Sequence, residues 1–81
     1  MDKERILRTS VEGRKVEIAE YQLNIDNYIM ALDMISKMSD EDRCWLEPFV
    51  VQLSDLLSSA RFEQKKAQIM LDVALLQLGE K

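Results

Sequence analysis

The chain has 81 residues, of which 47% are hydrophobic, and its formal net charge is −4. This length allows one small domain, and the apolar fraction excludes the composition of a disordered protein. Two glycines and one proline are too few turn residues for an all-β fold, while the lack of histidine and the single cysteine exclude the commonest general base, an internal disulfide and a cysteine-rich zinc site.

The first predicted element is a long helix over residues 3–38. Its apolar and aromatic residues recur in alternating steps of four and three, which is the a/d pattern of a heptad repeat. One polar residue, Arg14, interrupts this stripe, and between Gly13 and Pro48 no residue type ends a helix by itself. The stripe comprises Leu7, Val11, Arg14, Ile18, Tyr21, Ile25, Tyr28, Leu32 and Ile35.

A break is predicted directly after this helix. Ser39 followed by Asp42 approximates a capping box, and the acidic residues between them favour the N-terminal end of a helix. We expect a short helical turn over residues 40–45 and a new helix near Pro48, because proline is tolerated in a first turn. A kinked continuous helix is the alternative, so the second long helix starts either at Ser39 or at Pro48.

The second long helix is predicted over residues 47–78, and Gly79 is a suitable stop. Two long helices with a short connection pack antiparallel. The fold class is therefore all-α, an antiparallel two-helix hairpin in which residues 1–81 form a single domain. The predicted seam of the second helix is Leu46, Phe49, Leu53, Leu56, Ala60, Glu63, Ala67, Met70, Ala74 and Gln77, widened by Val50, Leu57, Leu71 and Leu78.

Both helices also carry apolar residues away from these seams. A helix that is apolar on every side is normally buried on every side, which one hairpin of this size does not achieve. We therefore expect two hairpins to dimerise into a four-helix bundle, or the hairpin to dock on a helical partner. The alternative is that segment 40–46 folds back over one extra face. The predicted contact residues are Val16, Leu23, Met30, Ile69, Val73 and Leu76.

An aromatic cluster is predicted at the tip of the hairpin, formed by Trp45, Leu46 and Phe49. Such a cluster either plugs the end of a bundle or anchors a partner, since tryptophan is enriched at interface hot spots. The acidic residues around it would steer a basic partner surface. Cys44 is expected to be a half-buried structural cysteine.

The residues offer little for catalysis. Glu17 and Glu20 are spaced i, i+3 on one helix face, and this pair resembles the helical carboxylates that hold magnesium in MazG-type nucleotide pyrophosphohydrolases. The second dicarboxylate motif of that family is missing, and an oxygen-only magnesium site needs several convergent carboxylates. Di-iron, Ser/His and Cys/His sites need a histidine, and Gly-rich phosphate loops are absent. We predict no enzyme activity, no metal and no cofactor.

The sequence therefore predicts a small non-catalytic protein–protein interaction module: an adaptor, a chaperone-like subunit, or a regulator or inhibitor of a larger protein. The alternative is an acidic, phage-type inhibitor that mimics nucleic acid, because spaced carboxylates on a rigid rod fit a basic groove. The acidic surface for that role comprises Glu17, Glu20, Asp26, Asp33, Asp40, Glu41 and Asp42.

Three further expectations concern surroundings and partners. The net charge of −4 disfavours binding to nucleic acid.

The first residues lack an apolar signal-peptide core and no apolar run reaches the roughly 18 residues of a membrane span, so a cytoplasmic protein without membrane contact is expected. Whether Arg14 pairs with Glu63 is left open, within one chain or across a symmetric interface.

Overall fold

The computed structural model describes residues 2–79, so both ends of the predicted domain of residues 1–81 lie outside it. The described chain is all-helical, with α1 at Lys3–Ser36, α2 at Asp40–Trp45 and α3 at Glu47–Leu78. Helices α1 and α3 pack against each other along their lengths, and α2 contacts α3 at the tip. The result is the predicted antiparallel hairpin, a two-helix layer with extents of 61, 20 and 14 Å.

The predicted stripe of α1 is the one that faces α3. All nine of its residues are buried or half-buried, including Arg14, and Val11, Ile25 and Ile35 are the most deeply buried. The helix ends at Ser36, two residues earlier than predicted. The N–H groups of Lys37 and Met38 instead bond to the carbonyls of Met34 and Ile35, at 3.3 and 3.1 Å, and these i→i−3 bonds tighten and close the last turn.

The seam of α3 differs from the prediction by one position around the helix. Phe49, Leu56 and Met70 were expected at the seam and are exposed. The widening residues Val50, Leu57, Leu71 and Leu78 take their place, so the observed stripe contains one polar residue, where the predicted stripe contains two, Glu63 and Gln77. It comprises Leu46, Val50, Leu53, Leu57, Ala60, Gln64, Ala67, Leu71, Ala74 and Leu78, all buried or half-buried.

Each of the two residues predicted to start the second long helix, Ser39 and Pro48, lies at the beginning of a helix. The Ser39 hydroxyl accepts a hydrogen bond from the Asp42 N–H at 3.2 Å, which caps α2. Leu46 ends α2 and precedes α3, with φ −94° and ψ 4°, and Pro48 lies in the first turn of α3. Helix α3 therefore begins as a separate helix, and at its other end Gly79 adopts the left-handed conformation, φ 75°, of a C-terminal stop.

Hydropathy along the helices bears on membrane contact. Within residues 2–79, none of the three helices combines the length and the apolar character needed to cross a bilayer.

The first prediction tests the seam of α1. Ile25→Ala removes a buried side chain and leaves a cavity, so it should lower the free energy of unfolding by about 2–4 kcal/mol. Ile29→Ala is the matched control, because Ile29 lies one turn away on the same helix and is exposed; its cost should be less than half as large. Urea unfolding followed by circular dichroism measures both, and equal losses would contradict the observed seam.

The second prediction tests the break between the long helices. Ser39→Ala removes the hydroxyl that caps α2 and should cost about 1 kcal/mol. Ser36→Ala serves as control, since the Ser36 hydroxyl donates to the Asp33 carbonyl, an intrahelical contact that slightly disfavours helix, and its loss should be neutral. A thermal melt of each variant compares the two, and an unchanged Tm for Ser39→Ala would refute the capping role.

Candidate interaction surface

The hairpin buries few side chains. Among residues 2–79 the buried core consists of eight residues, three of which are alanines on α3, whereas sixteen large hydrophobic side chains are exposed. A layer of two helices has one contact stripe per helix, so every further apolar side chain faces outward. The core residues are Val11, Ile25, Ile35, Leu53, Ala60, Ala67, Leu71 and Ala74.

The six contact residues predicted on the spare faces are all exposed. Val16, Leu23 and Met30 lie at f positions of α1, and Ile69 and Leu76 lie at f positions of α3. An f position points directly away from the seam, so these residues form two outer edges on opposite sides of the layer. The two groups are therefore not brought together, and Val73 lies beside the α3 edge at a c position.

An interhelical hydrogen bond shows which flanks of the two helices adjoin. The Gln64 side-chain NH₂ donates to the Ile18 carbonyl at 3.2 Å and to Gln22 Oε1 at 3.0 Å. Gln64 occupies an a position of α3 and Gln22 an e position of α1, so the e flanks of both helices meet on one side. A shallow depression on that side is lined by Ile18, Gln22, Gln64, Lys65 and Gln68.

The g flanks meet on the opposite side of the layer. Lys3 and Gln77, which occupy g positions of α1 and α3, line one depression there together with Glu4, Leu7 and Leu78. The layer therefore has two broad faces. We call the face built from e and b positions the polar face, and the face built from g and c positions the apolar face.

The exposed hydrophobic residues are distributed unequally between the two faces. The polar face has two large ones, Ile29 and Val51, and ten charged residues within the helices, whereas the apolar face has six large hydrophobic and five charged residues. The charged residues of the apolar face are Lys3, Glu17, Glu20, Glu63 and Lys66. The exposed hydrophobic residues of the apolar face are Ile6, Met34, Phe49, Leu56, Met70 and Val73.

The tip cluster is present, and it is open to solvent. Trp45, Leu46 and Phe49 line one shallow depression with the first turns of α3. Leu46 is half-buried, but Trp45 is 79% exposed, so the tryptophan does not plug the end of the hairpin. Cys44 is also exposed, contrary to the half-buried position expected from the sequence, because α2 contacts α3 and leaves its other sides to solvent.

The predicted acidic residues lie along α1 and α2, and several have partners on their own helix. Glu17 accepts from Arg14 at 2.9 Å, Asp26 accepts from Gln22 at 2.9 Å, and Asp33 pairs with Lys37 at 2.9 Å. Asp40 pairs with Arg43. Glu20, Glu41 and Asp42 are exposed. The carboxylates are spread over b, c and g positions of α1, so they do not form one line.

The two charged residues near the seams pair locally within this chain. Arg14 bonds to Glu17 at 2.9 Å, and Glu63 bonds to Lys66 at 3.4 Å. Arg14 and Glu63 therefore do not pair with each other within a single chain, because each has a partner three residues along its own helix. The Lys66 ammonium also lies 5.4 Å from the centre of the Phe62 ring and covers part of an exposed aromatic residue.

Four hydrophobic residues of the apolar face, Ile6, Met34, Leu56 and Met70, were not among the predicted contact residues. Leu56 and Met70 were assigned to the internal seam, and the structure leaves both exposed on the apolar face. A signal in the sequence could have identified Leu56 and Met70. They belong to the stripe that contains Glu63 and Gln77, and the alternative stripe, which contains Gln64, has fewer polar residues and is therefore better suited to the seam.

In the part of the chain that the structure describes, no three His, Cys, Asp or Glu side chains are grouped so that they could hold a metal ion. Comparison with family models, curated protein sequences and solved structures finds no match for this chain.

Proposed function

We propose that the protein is a small non-catalytic interaction module, which self-associates or docks on a larger protein through its exposed apolar helix surfaces. One observation carries the proposal: among the described residues, twice as many large hydrophobic side chains are exposed as residues are buried, sixteen against eight. Exposed apolar patches beyond the usual size mark interaction sites on soluble proteins. The proposed role is that of an adaptor, a chaperone-like subunit or a regulator.

The thin core supports the same proposal. Domains of this size have little stability of their own without a disulfide, a metal or an oligomeric partner. Burial of the outer-edge residues Leu23 and Leu76 and of the apolar face against another protein would add the missing apolar area at about 25 cal/mol per Å². A four-helix bundle of two hairpins is the simplest such assembly. In this proposal the protein works in the cytoplasm, where a single thiol stays reduced.

The second candidate, an acidic mimic of nucleic acid, has weaker support. All its carboxylates except the half-buried Glu17 are exposed, but Glu17, Asp33 and Asp40 each have a basic partner within four residues, which reduces the field that a basic groove would meet. Their spread over three heptad positions also differs from the single line of phosphates on a nucleic-acid strand. We therefore favour apolar docking.

The third prediction tests apolar docking. Val73→Asp places a charge on the apolar face and Leu23→Asp places one on the outer edge of α1, so the variant whose surface is buried should weaken the association constant at least about tenfold, or 1.4 kcal/mol. Val51→Asp is the control, because Val51 lies on the polar face and is 58% exposed, comparable with Leu23 at 61%. Sedimentation velocity over a concentration series measures the assembly of each variant.

Three outcomes separate the hypotheses. Loss of assembly in Val73→Asp or in Leu23→Asp, with assembly retained in Val51→Asp and at high salt, would support apolar docking. Binding to a nuclease or polymerase that collapses as salt screens the charges, and that is insensitive to all three substitutions, would favour the acidic surface. A monomer whose exposed residues accept aspartate without any change in assembly or in dye binding to apolar surface would contradict the proposed function.

A further inference from the structure

We infer that the occupant of the apolar face is a second copy of this chain, packed antiparallel so that the tip of each hairpin lies beside the helix ends of the other. This inference rests on the proposed function and adds the partner, the face and the orientation. It follows from the size of the face, from the placement of its charged residues and from the difference in charge between the two ends of the hairpin.

The size of the face suits a stable dimer. The layer is 61 Å long and 20 Å wide. One broad face of these dimensions is large enough to supply the ~800 Å² per partner that a standard protein interface buries. The face is also broad and shallow, because two parallel ridges of side chains line it. Such a surface fits a second two-helix layer, and face-to-face packing of two layers gives a four-helix bundle.

The charged residues of the apolar face suit a second copy. Glu63 and Lys66 lie at the middle of α3, where their side chains are 3.4 Å apart. In an antiparallel pair the middle of α3 faces the middle of α3 in the second copy, so the two Glu63 carboxylates and the two Lys66 ammonium groups, two charges of each sign, come together at the centre of the interface. Glu20, at the middle of α1, comes near Glu20 of the second copy at a c position beside the outer edge, where water and salt screen the two charges.

The hydrophobic residues of the face match on both sides of this centre. Met34, Phe49 and Leu56 lie towards the tip, and Ile6, Met70 and Val73 lie towards the helix ends. An antiparallel copy therefore places apolar residues on apolar residues in both halves of the interface. A parallel copy would do the same, so packing alone does not choose between the two orientations.

Charge at the two ends of the hairpin makes that choice. Residues 40–47, at the tip, include four acidic and one basic residue, whereas residues 2–15 and 69–79, which share the other end, include five basic and four acidic residues. A parallel dimer would bring the two acidic tips together. An antiparallel dimer separates the two acidic tips and places each beside an end of nearly balanced charge, which avoids that repulsion.

The orientation can be measured with the native cysteine. Cys44 is the single cysteine of the chain and is exposed on α2 at the tip, so a spin label at Cys44 reports the distance between the two tips. The antiparallel dimer predicts a label-to-label distance close to the 61 Å length of the hairpin. The parallel dimer predicts about 10–20 Å, since packed helices lie 8–10 Å apart.

The outcomes of this measurement are distinct. A long distance in a sample that sediments as a dimer supports the inference, and Cys44→Ser should leave the dimer intact. A short distance overturns the orientation, and a monomer at all concentrations overturns the second copy as occupant. Neither of these two results contradicts docking on another protein, which fails only if the aspartate variants also leave dye binding to the apolar surface unchanged.

A matched pair of substitutions tests the face itself. Leu56 on the apolar face is 43% exposed and Ile29 on the polar face is 42% exposed. Leu56→Glu should weaken dimerisation at least tenfold while Ile29→Glu leaves it unchanged, with equal helix content of both variants by circular dichroism. Met70→Glu is a second variant on the apolar face in case Leu56→Glu folds poorly. Equal effects of Leu56→Glu and Ile29→Glu would overturn the assignment of the face.

Discussion

The contact between two long helices depends on a geometric limit: each helix presents one a/d stripe to the other, about two residues in seven. In this hairpin the stripe of α3 has alanine at positions 60, 67 and 74, and α1 places Val11 and Ile18 opposite that end. Small side chains let two helices approach closely but bury little area. The hairpin is therefore held together by a narrow core, and its remaining apolar residues face outward.

The rotation of α3 about its own axis determines which residues those are. Gln64 lies in the seam and bonds across it to the Ile18 carbonyl and to Gln22, so its amide has partners without leaving the contact region. A rotation of α3 by one position would bring Glu63 into the seam and expose Gln64. A carboxylate loses more hydration energy on burial than an amide, and the observed rotation avoids this cost. Leu56 and Met70 become part of the apolar face as a result.

The consequence for function is that the two broad faces of the hairpin differ in polarity. The polar face carries ten charged residues, while the apolar face and the two outer edges carry most of the exposed hydrophobic residues. The proposed module would then keep one broad face hydrated and cover the other. The tip adds a separate feature, because Trp45 and Cys44 project from a short helix that contacts only α3 among the described elements. A chain with these properties acts, in our proposal, by occupying a surface.

Local features of the amino-acid sequence were enough to predict the helices and their ends. Heptad spacing identified α1 and its stripe, Ser39 identified the cap of α2, and Pro48 and Gly79 marked the two ends of α3, because each of these signals acts within a few residues of the chain. The exposure of Val16, Leu23 and Met30 also followed from spacing alone, since f positions oppose the seam. The facing stripe of α3 did not, because Phe49, Leu56 and Met70 fit the heptad spacing as well as Val50, Leu57 and Leu71. Polar content favours the stripe with Gln64, and the packing of α3 against α1 decides between the two, because the half-buried Gln64 bonds to the carbonyl of Ile18, 46 positions away in the chain.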